Sequence, residues 1–387
     1  MNHILPLHPQ LNITMEHGLG CALTDITGKT YLDCESGVWC TCLGHNHPAM
    51  NDVLKQQCDR LTHIGYRFRA EVIEKAALRL LDITGLTGGR CVFLTSGSET
   101  VHVAMRVAQV ATKRNRWVVL DPSYLAAYGE GDCTQSQQWF VVDRDAEELD
   151  PDIAWDQVAG FVFEPGSSAG RVHFPATALV SRIVHQVREH GGLIIAEEVT
   201  TGMGRTGAWF GYNHYNIQPD IVAVGKGIGN GYPVSAVGVS PQVAQAVKKT
   251  GLHYVQSHQN DPLGCAVALA VLQTLQDENL IVRSQDLGRR LRDQLLALQK
   301  ETSIIKDVRG RGLMVAVEFQ PTTMAGEVFE NLLTRGIIVG CNPDYNLIRF
   351  MPPLVISEQQ IKQIIEELQN TLDHGMMFHK KNVRKPD

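Results

Sequence analysis

The sequence predicts an α/β fold, in which a large domain with a mainly parallel, doubly wound sheet is followed by a smaller α+β domain. Short apolar runs bounded by Gly, Asp or Pro alternate with helix-period segments through the middle of the chain, a pattern typical of parallel strands connected by helices. The C-terminal third departs from this alternation. The length of 387 residues suits one large domain or two closely joined domains.

Each predicted strand of the main sheet is short and rich in β-branched or aromatic residues. These strands are residues 92–94, 117–120, 161–163, 193–195 and 221–224. Apolar residues at helical spacing predict helices between the strands, including one around 101–108 and another around 179–187.

The last third predicts two helices followed by two strands: helices at about 260–276 and around Leu291, strands at 313–319 and 347–350. The final helix begins with a capping box formed by Ser357 and Gln360. We therefore expect four units, which are an N-terminal segment 1–45 that joins the small domain, a large domain 46–280, a small α+β domain 281–373 and a polar tail 374–387.

Composition and charge exclude several classes of function. The 35 Lys and Arg against 41 Asp and Glu give a net charge of −6, so we expect no nucleic-acid partner. The N-terminus lacks the basic and apolar regions of a signal peptide, and charges or glycines interrupt every apolar run before the roughly 18 residues of a membrane span. The nine cysteines have no framework spacing, which indicates reduced thiols in a cytoplasmic protein.

Residues 95–99, Thr-Ser-Gly-Ser-Glu, lie between a predicted strand and a predicted helix. Gly97 lets the backbone approach a ligand closely, and Ser98 stands where free N–H groups of the helix would hold a phosphate. The alternative interpretation is an ordinary helix cap with a turn glycine.

Two further features follow predicted strands. Glu197 and Glu198 close the strand at 193–195, at the end where open α/β sheets bind ligands. A carboxylate buried there needs a cation or a donor, and the alternative is a pair of solvated acids. Lys226 follows the strand at 221–224 among four glycines, a position suited to a Schiff base with an aldehyde cofactor, although most lysines are solvated surface residues.

Pyridoxal 5′-phosphate explains these three features together. It needs a phosphate cup, a lysine for its aldehyde, and a carboxylate that keeps its pyridine nitrogen protonated so that the ring can take up electrons. The phosphate cup, the acid and the lysine also occur in that order along the chain.

Longer motifs are distributed over nearly the whole chain. They are residues 18–33, Leu-Gly-His-Asn-His-Pro at 43–48, Glu-Glu-Val-Thr-Thr-Gly-Met-Gly-Arg-Thr-Gly at 197–207, Pro-Asp-Ile at 219–221, Arg-Gly-Arg-Gly-Leu at 309–313 and Ile-Arg-Phe-Met-Pro-Pro-Leu at 348–354. With these motifs the sequence resembles the class III pyridoxal-phosphate aminotransferases of fold type I. That family includes the ornithine, acetylornithine, 4-aminobutyrate and ω-amino-acid aminotransferases.

The resemblance implies roles for residues around the cofactor. Lys226 would be the catalytic Schiff-base lysine and proton carrier, and Glu197 would pair with the pyridine nitrogen. The other implied cofactor contacts are Gly97 and Ser98 at the phosphate, Val199 and Tyr124 on the two ring faces, and Thr200 near the phenolic oxygen. Ser257 matches a threonine that reaches the phosphate of the partner subunit, which implies a homodimer with shared active sites.

The resemblance also implies a substrate pocket in which Arg349 binds a carboxylate and Trp39 lines the wall. The chain departs from the family at Glu197, which replaces an aspartate, and at Thr200, which replaces a glutamine. A second glutamate that masks the arginine in ornithine-type members is missing from residues 166–170. Its absence places ornithine-type recognition of two substrates in doubt.

The function that follows is transfer of an amino group between an amino acid, ω-amino acid or amine and a 2-oxo acid, by a ping-pong Schiff-base mechanism. One alternative is a decarboxylating transaminase similar to dialkylglycine decarboxylase, which residues 257–262 resemble. A racemase on the same fold is a further alternative. Val38 and Trp39, however, resemble the ω-aminotransferases. A second is a catalytically silent binding or regulatory subunit. We expect no metal, because Cys34, Cys40, Cys42, His45 and His47 lack a metal-site spacing and are interpreted as packing residues.

Overall fold

The computed structural model describes residues 3–5, 7–127, 138–167 and 170–382. The N-terminal part forms an antiparallel meander of three strands and then three helical segments. They are β1 (Met15–Leu19), β2 (Ala22–Asp25), β3 (Thr30–Asp33), the short turn α1 (Ser36–Trp39), α2 (Pro48–Cys58) and α3 (Glu71–Ile83).

A seven-stranded sheet forms the centre of the molecule. Its strands are β4 (Arg90–Leu94), β5 (Arg116–Asp121), β6 (Trp139–Asp143), β7 (Val158–Phe163), β8 (Leu193–Glu197), β9 (Ile221–Val224) and β10 (Ser235–Val239), in the order β4-β10-β9-β8-β7-β5-β6. Six strands run in one direction, and β10 runs against both of its neighbours. The mainly parallel sheet expected from the sequence is confirmed, whereas β6 and β10 were not predicted because their short runs carry no distinct boundary signal.

Helices cover both faces of this sheet, as the predicted alternation requires. The helices α4 (Gly97–Thr112) and α6 (Pro241–Thr250) pack on one face, and α3, α5 (Thr177–Glu189) and α7 (Pro262–Asp277) pack on the other. Alternate residues of each strand point to opposite faces, so that Val118 joins one core cluster while Trp117 and Val119 join the other.

The C-terminal part is the α+β unit that the sequence predicts. It contains α8 (Leu280–Glu301), β11 (Ile305–Arg311), β12 (Met314–Phe319), α9 (Ala325–Thr334), β13 (Ile337–Ile338), β14 (Gly340–Asn342), β15 (Leu347–Phe350) and α10 (Glu358–Asn382). β11, β12, β15 and β14 form one antiparallel sheet, and β13 pairs with β3 in parallel, which ties the N-terminal meander to this unit.

The capping box is confirmed at the start of α10, where Ser357 N–H donates to Gln360 Oε1 at 2.9 Å and Gln360 N–H donates to Ser357 Oγ at 3.1 Å. The helix continues to Asn382, past residue 374, where the sequence predicts the tail to begin. Among the described residues, no single helix is long and apolar enough to span a membrane; α7 and α8 reach that length and composition only together, with a bend of 63° between them.

Candidate active site

Most of the predicted cofactor residues lie at one edge of the central sheet. The carboxyl ends of parallel strands meet at a common edge, and each strand here is followed by a residue of interest. Ser98 follows β4, Tyr124 follows β5, Glu197 ends β8 and Lys226 follows β9. The antiparallel β10 starts at this same edge, where the Ser235 hydroxyl donates to the Ser96 carbonyl at 2.9 Å.

Lys226 extends from a strand end into a largely enclosed space. Its Nζ donates to Thr200 Oγ1 at 2.6 Å and lies 4.4 Å from the centre of the Trp39 ring. Burial lowers the pKa of Lys226, and the positive charge of Arg349 acts in the same direction, whereas Glu197 opposes the shift. An amine that loses its proton more easily is a better nucleophile towards an aldehyde.

Glu197 is buried at the end of β8, and its two carboxylate oxygens have different surroundings. Oε1 accepts a hydrogen bond from Val199 N–H at 3.0 Å, while Oε2 is buried without a hydrogen-bond partner. Burial and the neighbouring Glu164 raise the pKa of Glu197. An unpartnered buried oxygen is costly, which indicates a place for a donor or cation that the protein itself does not supply.

Glu198, the next residue, has a structural role. Its carboxylate accepts hydrogen bonds from the Thr201 hydroxyl at 2.7 Å and from the N–H groups of Gly211 and Tyr212 at 2.8 Å each. Burial nevertheless raises the pKa of Glu198 to about 7. The two neighbouring acids therefore differ in function, because only Glu197 has an oxygen without a partner.

The first turn of α4 contains the residues predicted to hold a phosphate. Ser96 caps the helix by accepting from Glu99 N–H at 3.3 Å, and Ser98 Oγ accepts from Ala127 N–H at 2.9 Å. A Cβ on Gly97 would lie only 2.6 Å from Val199 Cγ1, so the residue at 97 must be glycine for Val199 to keep its place. The free N–H groups of this helix end are a general anion site.

Tyr124 and Ser257 are less closely associated with this group. Tyr124 is about half exposed, and its backbone N–H donates to Glu164 Oε2 at 3.2 Å. Ser257 is exposed on the loop before α7, and no contact among the described residues joins it to Lys226.

Trp39 reaches the site from a strained turn. Ser36, Gly37, Val38 and Trp39 have φ values of 51°, 56°, 56° and 69°, so the chain makes one left-handed helical turn. Trp39 N–H donates to the Glu35 carbonyl at 2.7 Å, and Cys40 N–H donates to the Ser36 carbonyl at 2.9 Å. Left-handed helix costs about 1–2 kcal/mol for each residue with a Cβ, and the cost is highest for a β-branched residue such as Val38.

Arg349 on β15 contacts the same indole. Its guanidinium carbon lies 5.0 Å from the centre of the Trp39 ring, so the indole contacts both cations of the site. Arg349 Nη2 also lies 3.5 Å from Glu35 Oε1, a pair that the sequence analysis did not anticipate. Burial raises the pKa of Glu35, while the guanidinium beside it acts in the opposite direction.

A second ion pair confirms one of two interpretations of Glu164, a strand-end ion pair rather than a pocket residue, although the sequence did not identify its partner. Arg144 and Glu164 are both buried, with Arg144 Nη2 3.6 Å from Glu164 Oε2. Arg144 also donates to the carbonyls of Glu164 at 3.0 Å and Pro122 at 2.9 Å. The only sequence signal was a charged residue directly after a strand, and this pair fixes the loops that follow β5 and β7.

The cysteines and histidines at 34–47 make protein contacts. Cys42 Sγ donates to the Gly227 carbonyl at 3.1 Å, and the His45 imidazole lies 2.8 Å from Asp33 Oδ2. Within the described part of the chain, donor atoms converge elsewhere, with those of His63, His258 and Asp261 within 4.8 Å of one another. The Asp261 carboxylate lies 3.0 Å and 3.1 Å from the two imidazoles, which accounts for this cluster as two hydrogen bonds.

The residues at this edge fit pyridoxal phosphate in their chemistry. A buried lysine with a lowered pKa is available for the aldehyde, and the unpartnered Glu197 Oε2 is available for a protonated ring nitrogen. The helix N-terminus at Gly97 and Ser98 is available for a phosphate.

Comparisons with known proteins agree with this arrangement. Residues 6–125 and 126–372 match the model of the family described as aminotransferase class III. The chain is a class III aminotransferase. The Methanosarcina mazei acetylornithine aminotransferase is 30% identical to this protein, and the matched region covers 95% of this chain and 93% of the relative. The Escherichia coli 4-aminobutyrate aminotransferase is 28% identical, over 95% of each chain.

Solved structures support the same assignment for this class III aminotransferase. A transaminase from the marine bacterium Virgibacillus superposes with a TM-score of 0.88 at 26% identity, over 95% of this chain and 96% of that one. The fold is therefore that of fold-type I transaminases, as the sequence predicts, and the protein is an enzyme of the aminotransferase class.

Proposed function

We propose that this aminotransferase binds pyridoxal phosphate and moves an amino group from an amino acid, ω-amino acid or amine to a 2-oxo acid in a ping-pong cycle. The observation that carries the proposal is the pair of partly buried Lys226 and buried Glu197 at the ends of two neighbouring parallel strands, with one Glu197 oxygen lacking a partner. When bound, pyridoxal phosphate supplies an aldehyde for the amino group and a ring that takes up electrons.

Lys226 is the proposed catalytic base. Its Nζ would take the proton from the donor carbon that bears the amino group and pass it to the former aldehyde carbon of the cofactor. The Thr200 hydroxyl at 2.6 Å orients Nζ, and burial, which lowers the pKa of Lys226, leaves more of the amine neutral. Glu197 Oε2 would accept from the protonated ring nitrogen and stabilise its charge.

The remaining cofactor contacts follow from position. Ser98 and the N–H groups at Gly97 would hold the phosphate at the start of α4. Val199, held against Gly97, would pack on one ring face, and Tyr124 would cover the other.

Arg349 and Trp39 would bind the substrate carboxylate. The guanidinium offers two parallel donors, and the Trp39 Nε1–H is buried without a partner beside it. Glu35 is the carboxylate that meets Arg349, so a substrate carboxylate would compete with it. Glu35 therefore gives Arg349 an acidic partner from a different segment, since residues 166–170 contain no glutamate that could play this part.

We further propose a cytoplasmic homodimer in which Ser257, exposed on its own chain, reaches the phosphate of the partner subunit. In this arrangement segment 1–45 joins the small domain 281–373, a division supported by the pairing of β3 with β13. The large domain 46–280 then holds the cofactor.

The test is the absorption spectrum of the purified protein after reconstitution with pyridoxal phosphate, with Lys226→Ala as the matched control. We expect a long-wavelength band in the wild type that one class of donor bleaches and a 2-oxo acid restores. The donor panel is 2-amino acids, 4-aminobutyrate, β-alanine, ornithine, diaminobutyrate, a simple amine and a dialkylglycine. The control is expected to show no such cycle.

Other outcomes would overturn the proposal in distinguishable ways. Release of carbon dioxide with the dialkylglycine identifies a decarboxylating transaminase, and inversion of the donor with its amino group retained identifies a racemase. A bound cofactor that no donor bleaches indicates a silent subunit. Absence of the band after reconstitution contradicts the cofactor assignment itself.

A further inference from the structure

The left-handed turn at 36–39 is held mainly by one buried carboxylate. Asp33 Oδ1 accepts hydrogen bonds from the N–H groups of Glu35 and Ser36, both at 2.9 Å, and Oδ2 accepts from Gly37 N–H at 3.2 Å. The His45 imidazole lies 2.8 Å from Oδ2. One carboxylate thus satisfies three consecutive backbone donors at the start of the turn, as an anion does at the start of a helix.

The turn is also fixed to the strand that carries Arg349. The Ser36 hydroxyl donates to the carbonyl of Met351, two residues beyond Arg349, and the Met351 N–H donates to the Cys34 carbonyl at 2.8 Å. The conformation of the turn therefore determines where its side chains stand relative to Arg349.

Two side chains at this turn meet the cations of the site. The Trp39 ring contacts both Lys226 Nζ and the Arg349 guanidinium, which lie 4.4 Å and 5.0 Å from its centre. Glu35 places its carboxylate 3.5 Å from Arg349 Nη2. In an extended or right-handed conformation of residues 36–39 the Trp39 ring would point elsewhere, since the direction of its Cβ depends on φ and ψ. Glu35, with a φ of −121°, precedes the left-handed residues, and Asp33 Oδ1 holds it directly by accepting from its N–H at 2.9 Å.

We infer that Asp33 is a positioning residue for the substrate-carboxylate site, which it maintains by binding the N–H of Glu35 and by holding the left-handed turn that sets Trp39 against Arg349. This inference rests on the proposed function of Arg349. Asp33 touches neither the cofactor site nor Lys226 among the described contacts, so its effect passes through the turn. Its loss therefore disturbs the orientation of the guanidinium and affects substrates that carry a carboxylate more than substrates that lack one.

The chain offers a matched control in Asp25. Asp25 is also a buried aspartate of the N-terminal meander whose carboxylate accepts backbone N–H groups, those of Thr27 at 2.9 Å and Lys29 at 3.1 Å. It holds an ordinary strand connection away from Arg349. Asp33→Asn and Asp25→Asn thus remove the same charge from similar networks, and only the first is expected to change the active site.

Two readouts separate positioning from a merely structural role in the full-length protein. The first is the fluorescence of Trp39, measured as the difference between each variant and the same variant carrying Trp39→Phe. The second is the KM for a carboxylate-bearing donor against the KM for a simple amine. Asp33→Asn is expected to shift the Trp39 emission to longer wavelength and to raise the first KM about tenfold, with less than a twofold change in the second. Asp25→Asn is expected to change neither.

A rescue strengthens the design. Val38 is exposed, and glycine adopts positive φ without steric cost, so Val38→Gly in the Asp33→Asn background should return the emission and the KM towards the wild type. If Asp33→Asn does not fold, Gly37→Ala decides, because its added Cβ meets nothing nearer than 3.7 Å and only disfavours the turn. In Gly37→Ala, a smaller shift of the Trp39 emission together with a smaller rise in the KM of the carboxylate-bearing donor supports the inference.

The inference is overturned if Asp33→Asn, or Gly37→Ala in its place, behaves as Asp25→Asn in both readouts. It is also overturned if both KM values rise together, because that result indicates general damage to the site. The fluorescence measurement needs no turnover, so it still tests the turn if the wild type proves not to transaminate.

Discussion

Gly97→Ala is expected to disturb the site through a single added methyl group. An ideal Cβ at this position lies 2.6 Å from Val199 Cγ1 and 3.0 Å from Cγ2. Ordinary contact begins near 3.4 Å, so Val199 must retreat by about 0.8 Å. Gly225 also lies close to Val199, since a Cβ there would lie 3.1 Å from Cγ1, so a displaced Val199 side chain has little free space on the protein side and no longer covers the proposed ring face as before.

The size of the effect follows from the cost of overpacking. An extra methyl group in a tightly packed region costs about 1–3 kcal/mol, which corresponds to a five- to 150-fold (about tenfold per 1.4 kcal/mol) loss of cofactor affinity if the strain is expressed on binding. The remainder appears as a lower free energy of unfolding. Backbone strain does not contribute, because Gly97 does not have a positive φ.

The assay is a titration of each cofactor-free variant with pyridoxal phosphate, combined with urea unfolding. Gly326→Ala is the matched control, because Gly326 also lies at the start of a helix and a Cβ there meets nothing within 4 Å. Val199→Ala removes both clashing methyl groups, so the double variant Gly97→Ala/Val199→Ala should recover most of the affinity relative to Val199→Ala alone. The reasoning fails if Gly97→Ala binds as Gly326→Ala does, or if the double variant shows no recovery.

Four further outcomes are expected. Glu197→Gln should retain the cofactor absorption but lower kcat by about a hundredfold or more, and near-normal turnover would remove Glu197 from its role. Lys226→Ala should bind the cofactor without measurable turnover in single-turnover absorption traces. Arg349→Lys should raise the KM of carboxylate-bearing donors at least about tenfold and leave simple amines unchanged, because the bidentate fork is lost. For Glu198, the folded pKa of about 7 lies above the ordinary value of 4.5, so stability is fully present below pH 4.5 and falls as the pH rises to 7. Over that range the wild type should lose about 3 kcal/mol more free energy of unfolding in urea than Glu198→Gln loses, because the difference between the two proteins isolates this one carboxyl group.

The sequence was sufficient to predict the parts of the fold and site that depend on local pattern. Lys226 and Glu197 each close a short apolar strand, and parallel strands bring their carboxyl ends to one edge, so their proximity follows from the strand pattern. The capping box of Ser357 and Gln360 is likewise a local signal and is confirmed.

Contacts between segments that are distant in the sequence could not be predicted from local patterns. Glu35 and Arg349 meet because β3 pairs with β13 and β15 packs beside the left-handed turn, and no local pattern encodes that pairing. Arg144 follows β6 and Glu164 follows β7, and the two meet across the end of β5, which separates their strands in the sheet. The roles of the cofactor and substrate residues remain predictions that rest on geometry and resemblance.

The pairing of β3 with β13 also has a consequence for synthesis on the ribosome. All strands of the central sheet are contained in residues 90–239, whereas β13, the partner of β3, and Arg349 are made about a hundred residues later. At about 5–20 residues per second, the emerging chain spends roughly 6–20 s with Lys226 and Glu197 available and Trp39 without its cationic neighbour on β15. If the proposed roles hold, the nascent protein can therefore complete the sheet that carries Lys226 and Glu197 well before the segment proposed to bind the substrate carboxylate is made.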